Sequence, residues 1–557
     1  MSTICLFDYR FRWVYCQLEA LRGCYPQTLR RTLEELPKTL DATYERTLLS
    51  IDKGKQKYAC HLFQCLAVSV RPLRVDELAG ILAVLLETEE DSEYHDDWCA
   101  EDAQQAVLST CSTLITIVNI DGSPVVQFSH FSVKEFLTSS RLANAGEHLS
   151  RYHILPHSAH TTLSRALLTV LLSLGDKVDK SGVEKHPLAL YASRYWVDHA
   201  KFEGVSTSIH DLMERLFDED EPYFATWLWL YDLDRPWEGH TASVHPMGPK
   251  ASPLYYATLG GLCDLVVYLF KRHPTHVNAI GGNYGNPLHA AVAKGDIDMA
   301  SILVQHGADI NLLDRWNESP LQRASQSGHY GVVKFLLEHQ ADVNIQKDDD
   351  RKTALHWAAQ NGELEICQLL LKYKANLELR NANQKTPLYI ASLSRHPDIV
   401  EEFLACGANA NVQSDTSWTP LHAASQGGDL RTVQLLVQHG AAFNKINNHQ
   451  ETPLHVASRL GNFEIARFLV KQGANTASKD KDGDTPLHNA SRNGHPNIVE
   501  ILLQGSMDVN VRNEDEETPL DLASGRGNLE VACLLIDHGA DIDCHDKHGW
   551  TPLHTAS

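Results

Sequence analysis

The sequence predicts a mainly α-helical protein, in which a helical first half carrying one small hairpin is followed by a solenoid of short helical repeats. Three observations carry that expectation. A four-residue signature of the T-P-L-H type returns ten times between Ser252 and Thr551, always 33 or 34 residues from the last. Apolar residues before position 250 recur at helical spacing. Two β-branched runs flank a single Asp-Gly turn. A fixed period of this length marks units that each form one supersecondary motif and stack because none can bury its apolar face alone.

Residues 1–145 open with FRWVYCQLEAL and LEELPKTLDATYERTLLSI, where Pro37 breaks the pattern and either Thr39 or Asp41 suits the cap of a helix carrying Tyr44, Leu48 and Ile51. Arg71 to Val75 reads as a turn before an acidic helix start, Asp76-Glu77, and the apolar run 78–86. Residues 87–102 hold nine carboxylates and no Lys or Arg, the composition of a solvated loop. Runs 114–120 and 125–128 then flank Asp121-Gly122-Ser123-Pro124, a hairpin signal. Residues 146–250 read as a helical connector rich in Leu and Trp, with Tyr191, Tyr195, Trp196, Trp227 and Trp229 as core and 239–250 as a Pro/Gly linker.

Residues 251–557 are the array. In the unit 419–451, Thr419 caps a helix and Pro420 fits its first position, where a missing N–H costs nothing. Ala423 and Ala424 allow close helix approach, and Gly427-Gly428 ends the segment. A second helix carries Val433, Leu435, Leu436 and Val437 and closes at Gly440, before a loop leads to the next unit. This plan resembles the ankyrin repeat from residue 252 onward. Ala354 departs from the signature proline, Tyr255, Gln322, Tyr389 and Asp521 depart from its histidine, and the stretch 348–351 holds a one-residue insertion expected in a loop.

The segments FRWVYCQL, LPKTLDATYERTL, RPLRVDELA, FSHFSVKEFL and LALYASRYWVDHA, in that order over about residues 11–200, resemble the fungal NACHT-ankyrin proteins of the STAND signalling class. The resemblance implies a winged-helix subdomain ending a NACHT module. It further implies that His130, in the F-x-H-x-S element, is the residue that approaches a nucleotide β-phosphate. No G-x-x-x-x-G-K-[ST] is present, and Gly54-Lys55 lacks the upstream glycine, so no phosphate cradle exists in this sequence. On that basis the chain is expected to begin where the nucleotide-binding core would end, with His130 a structural relic, no bound cofactor and no enzymatic activity; there is neither a G-x-S-x-G nor a convergent carboxylate pair.

Net charge is −22, divided evenly: residues 1–250 hold 24 Lys/Arg against 35 Asp/Glu and residues 251–557 hold 25 against 36. Neither half offers the basic footprint that nucleic acid or anionic lipid requires. Twelve cysteines without a C-x-x-C pair, and no apolar run long enough to span a bilayer, point to an intracellular, cytoplasmic setting without membrane insertion. The signature histidines at 289, 356, 422, 455, 488 and 554 lie at least one repeat apart, so no metal site is expected.

What remains is a protein partner of unknown identity, held on a concave face of loop tips and first helices. The ankyrin pattern places Arg315, Trp316, Glu318, Asp415, Thr416, Trp418, Asn448, His449, Arg459, Asp482, Arg492, Glu514, Asp515, Glu517, Arg526 and Trp550 on that face. Tryptophan and arginine are favoured in interface hot spots, so Trp316, Trp418 and Trp550 lead. The tenth unit stops at Ser557 without a second helix, and its apolar end invites either a C-terminal continuation or self-association.

Overall fold

The computed structural model describes residues 39–86, 107, 113–174, 186–236, 249–346, 349–504 and 507–556. The expectations for FRWVYCQLEAL, Pro37, the acidic stretch 87–102 and most of 239–250 lie outside the described residues. The chain forms two compact units, Met1–Ala290 and Ala291–Ser557.

In the first unit, Thr39 is the cap left open by the sequence. Its Oγ1 accepts from the Ala42 N–H (3.2 Å) and starts helix Leu40–Leu49. Helices Gln56–Val68 and Val75–Leu86 follow. The hairpin forms as β2, Ile115–Ile120, and β3, Ser123–Phe128, joined through Asp121 (φ 51°) and Gly122 (φ 81°). Two successive positive φ angles give a turn whose twist matches that of the strands. One element departs from expectation: Leu73–Arg74, read as turn, is a short strand β1 that pairs antiparallel with β3, Leu73 opposite Val126 and Arg74 opposite Val125. The order β1-β3-β2, with helices before and after, is a winged-helix arrangement.

Buried polar groups fix this subdomain. Glu77 accepts from both Arg71 guanidinium nitrogens (2.8 and 2.5 Å) and from the Arg74 N–H (2.8 Å), and so caps the helix it begins. The Arg71 guanidinium in turn lies 4.9 Å from the Tyr191 ring centroid, a cation–π contact to the connector.

The connector is built on helix Pro156–Ser173, which packs against Ala189–Ala200 and Gln56–Val68. Trp196, Trp227, Phe217 and Phe224 form an aromatic cluster with centroids 5.2–6.2 Å apart, and Trp227 Nε1 donates to the Ser193 carbonyl (2.9 Å). Tyr195 and Trp229 are only half-buried. The first repeat belongs to this unit. Tyr255, which stands where most repeats have histidine, donates to Asp234 (2.6 Å), and its oxygen accepts from the Tyr284 N–H (3.0 Å).

In the second unit the repeats are helix pairs, for example Pro420–Gly427 and Leu430–Gln438, apart from the last, which has the single short helix Pro552–Thr555. The signature closes a double cap. Thr419 N–H donates to His422 Nδ1 (3.2 Å), the Thr419 hydroxyl lies 2.8 Å from the same nitrogen, and His422 Nε2 reaches the carbonyl of Glu451, the residue that directly precedes the next signature (3.0 Å). His356, His455 and His488 repeat the arrangement toward Lys385, Asp484 and Glu517. One ring therefore caps its own helix and ties neighbouring units. With Ala354 in place of proline, the helix Ala354–Asn361 forms nonetheless from its Thr353–His356 cap.

Candidate protein-interaction surface

The position three residues before each signature threonine or serine lies at a loop tip, and the tips join into a ladder. Asp415 N–H donates to the Asn383 carbonyl (3.2 Å), Asn448 to Thr416 (3.1 Å), Lys481 to His449 (2.9 Å), Glu514 to Asp482 (3.1 Å) and Lys547 to Asp515 (3.1 Å). His449, Asp482, Glu514 and Asp515 are thus brought into one exposed row with their backbones locked and their side chains outward. Asp515 is ion-paired with Lys547.

Each tip is preorganised by one side chain below it. Asp314, Asn381, Asn447, Asp480, Asn513 and Asp546 accept N–H groups from residues two and four further on, at 2.8–3.0 Å. These bonds replace a strand ladder inside the loop, and a rigid loop loses little entropy on binding.

Arg315 and Trp316 occupy the equivalent tip of their own repeat. Trp316 is 37% exposed and lies between two guanidinium groups, Arg315 at 4.1 Å and Arg323 at 5.4 Å from its ring centroid. Arg323 is itself anchored to Asp314 (2.9 Å) and Glu318 (2.6 Å). Glu318, expected on the exposed face, is buried beneath Arg323. Trp418 is half-buried and packs against the cluster of Tyr389, Ile390 and Ala423, with the His422 ring 5.6 Å away. Trp550 is 55% exposed, and Arg526 is exposed at the end of helix Pro519–Gly525.

Arg459 and Arg492 end their first helices and turn back onto the acid preceding the signature, Glu451 (3.3 Å) and the buried Asp484. Their charge is largely spent inside the repeat. Two cation–aromatic pairs that the sequence reading passed over share this inner surface: Lys352 Nζ stands 3.8 Å from the Trp357 centroid and Lys385 Nζ 5.1 Å from that of Tyr389. Trp357 stands at a position that faces the core in most repeats, yet it is half-buried. The signal was present in the register, since Glu318, Lys352, Lys385, Trp418, Glu451, Asp484, Glu517 and Trp550 all immediately precede a signature residue.

His130 lies far from this surface in sequence, and its partners are local. It caps helix Phe131–Leu137, with Nδ1 accepting from the Ser132 N–H (3.2 Å) and lying 2.6 Å from Ser132 Oγ, which meets Tyr44 Oη at 2.8 Å. The ring thereby links hairpin, following helix and Leu40–Leu49.

Comparison with known proteins matches an ankyrin-repeat family model, described as ankyrin repeats in three copies, at residues 254–347, 343–414, 394–480 and 472–546. A second model, described as the GPI inositol-deacylase winged helix domain, matches residues 44–146. A curated relative, azaphilone pigments biosynthesis cluster protein L of Monascus ruber, is 33% identical over 295 residues, covering 50% of this chain and 61% of its own length. The chain thus spans about three-fifths of that relative. Alpha-latrocrustotoxin-Lt1a of Latrodectus tredecimguttatus is 39% identical over 59 residues, 11% of this chain and 4% of the toxin. Among solved structures, the human ASB11 ankyrin repeat domain is 28% identical at a TM-score of 0.36, covering 37% of this chain and 92% of that one.

Proposed function

Because the chain belongs to the ankyrin-repeat family, with a winged-helix domain preceding the array, we propose that it is a non-enzymatic interaction protein whose loop-tip and inner-helix surface grips a protein partner. The observation that carries this reading is the backbone-locked row of tips from Asn383 to Lys547, in which His449, Asp482 and Glu514 are exposed. Trp316 and Trp550 supply the large aromatic area that interface hot spots use, and the acids Asp482, Glu514 and Asp515 steer a partner bearing basic groups. No helix among the described residues is long and apolar enough to cross a membrane.

The pairing of a winged helix with repeats further supports a place as the sensing part of a fungal STAND-type signalling protein, working inside the cell. The alternative is a regulatory fragment of a NACHT switch that acts with a separate nucleotide-binding core. Equilibrium binding of labelled ATP and GTP separates the two: saturable binding by the purified chain favours the switch.

The interaction reading is tested by capturing partners on the full chain and measuring the captured protein's affinity for Trp316→Ala and Trp550→Ala. Loss of an aromatic hot spot costs about 2 kcal/mol or more, roughly thirtyfold in affinity. Unchanged affinity for both variants removes the proposed face.

A further inference from the structure

The first unit brings together three metal-ligating side chains that sequence spacing kept apart. His273 ends helix Cys263–Arg272 and opens the 3-10 turn Pro274–Asn278, which carries His276. Residues i and i+3 eclipse in such a turn. The two imidazoles accordingly stand face to face, centroids 5.0 Å apart and planes within 8°. Glu219 comes from the turn after helix His210–Leu216, and its Oε1 lies 3.5 Å from His276 Nδ1. One ligand atom from each of the three residues lies within 4.8 Å of the others.

We propose that Glu219, His273 and His276 form a binding site for a divalent transition-metal ion of the zinc class. Zinc–ligand bonds of about 2.0–2.2 Å place tetrahedral ligand atoms roughly 3.4 Å apart, which the Glu219–His276 pair already meets. Rotation of the His273 ring supplies the remainder. Two imidazoles and one carboxylate select zinc, copper or nickel over magnesium and calcium, which take oxygen ligands. The scaffold is tied independently of any ion: Asp218, next to Glu219, pairs with Arg272, next to His273, at 3.0 Å, and Asp218 Oδ1 accepts from the Asp220 N–H (3.1 Å). The fourth coordination position is left to water. The ion would clip the acidic turn 218–221 to the end of the first repeat, which departs from the expectation of no metal site.

The test is zinc chloride titrated into the full chain after chelator dialysis, followed by calorimetry, with cobalt(II) absorption in parallel. One site of about micromolar affinity or tighter, with tetrahedral cobalt bands, is expected, and His276→Gln weakens it tenfold or more. Zinc also raises the melting temperature of the wild type but not of the variant, since binding the folded form alone stabilises it. Glu219→Gln, at an exposed position, gives the same comparison should the histidine variant melt early in chelator. Identical isotherms for wild type, His276→Gln and Glu219→Gln overturn the site and assign any zinc to the other histidines and cysteines.

Discussion

At the scale of single residues, the signature histidine works only as a neutral ring. Its Nδ1 accepts from the cap threonine, so the proton must sit on Nε2, where it is donated to the carbonyl that directly precedes the next signature. Burial pushes His356, His422 and His488 down to about 4 from an ordinary 6.5. A base whose folded pKa is depressed takes up its proton on unfolding, so stability is complete above pH 6.5 and falls as pH drops from there toward 4. Each ring contributes on the order of 3 kcal/mol to that window at most. The chain contains its own control. In the repeat beginning at Ser319, Gln322 Oε1 accepts from the Ser319 N–H (2.7 Å) and its Nε2 donates to the Lys352 carbonyl (2.5 Å), just before the next signature, the same two bonds without a titrating group. His422→Gln is therefore expected to keep the neutral-pH fold and to flatten the decline of the urea midpoint between pH 6.5 and 4.5 by about one proton. An unchanged slope places the acid sensitivity elsewhere.

At the scale of elements, the junction of connector and first repeat depends on a Tyr–Asp pair. Asp234 is buried and takes the Tyr255 hydroxyl and the Asn283 N–H. Burial first, then the Asp234 contact, drives the Tyr255 pKa far up, so the phenol stays a donor. Tyr255→Phe removes that donor from a buried carboxylate and is expected to cost about 2 kcal/mol in urea unfolding. Gly282 (φ 71°) is needed here too, because a Cβ would collide with the Tyr255 ring. Gly282→Ala is expected to destabilise by at least as much, with early proteolysis near residue 282 as its signature; wild-type resistance would contradict the packing. The sequence showed Tyr255 as a departure, but Asp234 is a tertiary partner that no local pattern marks. The same distinction runs through the winged helix. Asp121-Gly122 announced the hairpin because turn chemistry is local. Leu73–Arg74 stayed hidden because two residues become a strand only by pairing with Val125 and Val126. At the interaction surface, the tips were legible from the period, whereas the burial of Glu318 and the packing of Trp418 depend on Arg323 and Tyr389 in the folded stack.

At the scale of the whole molecule, the period does more than set the fold. A repeat of near-constant length puts each tip in the same place relative to its neighbour, so backbone bonds can link tip to tip and hold the side chains above them at fixed spacing. The outer helices, such as Tyr330–Glu338 and Phe463–Lys471, contact one another along the array, and the first helices do the same on the inner side. On the proposed reading, recognition falls to loops positioned by a rigid scaffold, with variation from repeat to repeat supplying specificity. The central claim is that a protein partner lies on this surface. Amide hydrogen exchange on the full chain, with and without its captured partner, reads that directly. Protection is expected across the tips and inner-helix starts, around residues 314–318, 381–385, 414–418, 447–451, 480–484 and 513–517. Protection confined to the outer helices or to residues 39–236 would contradict it.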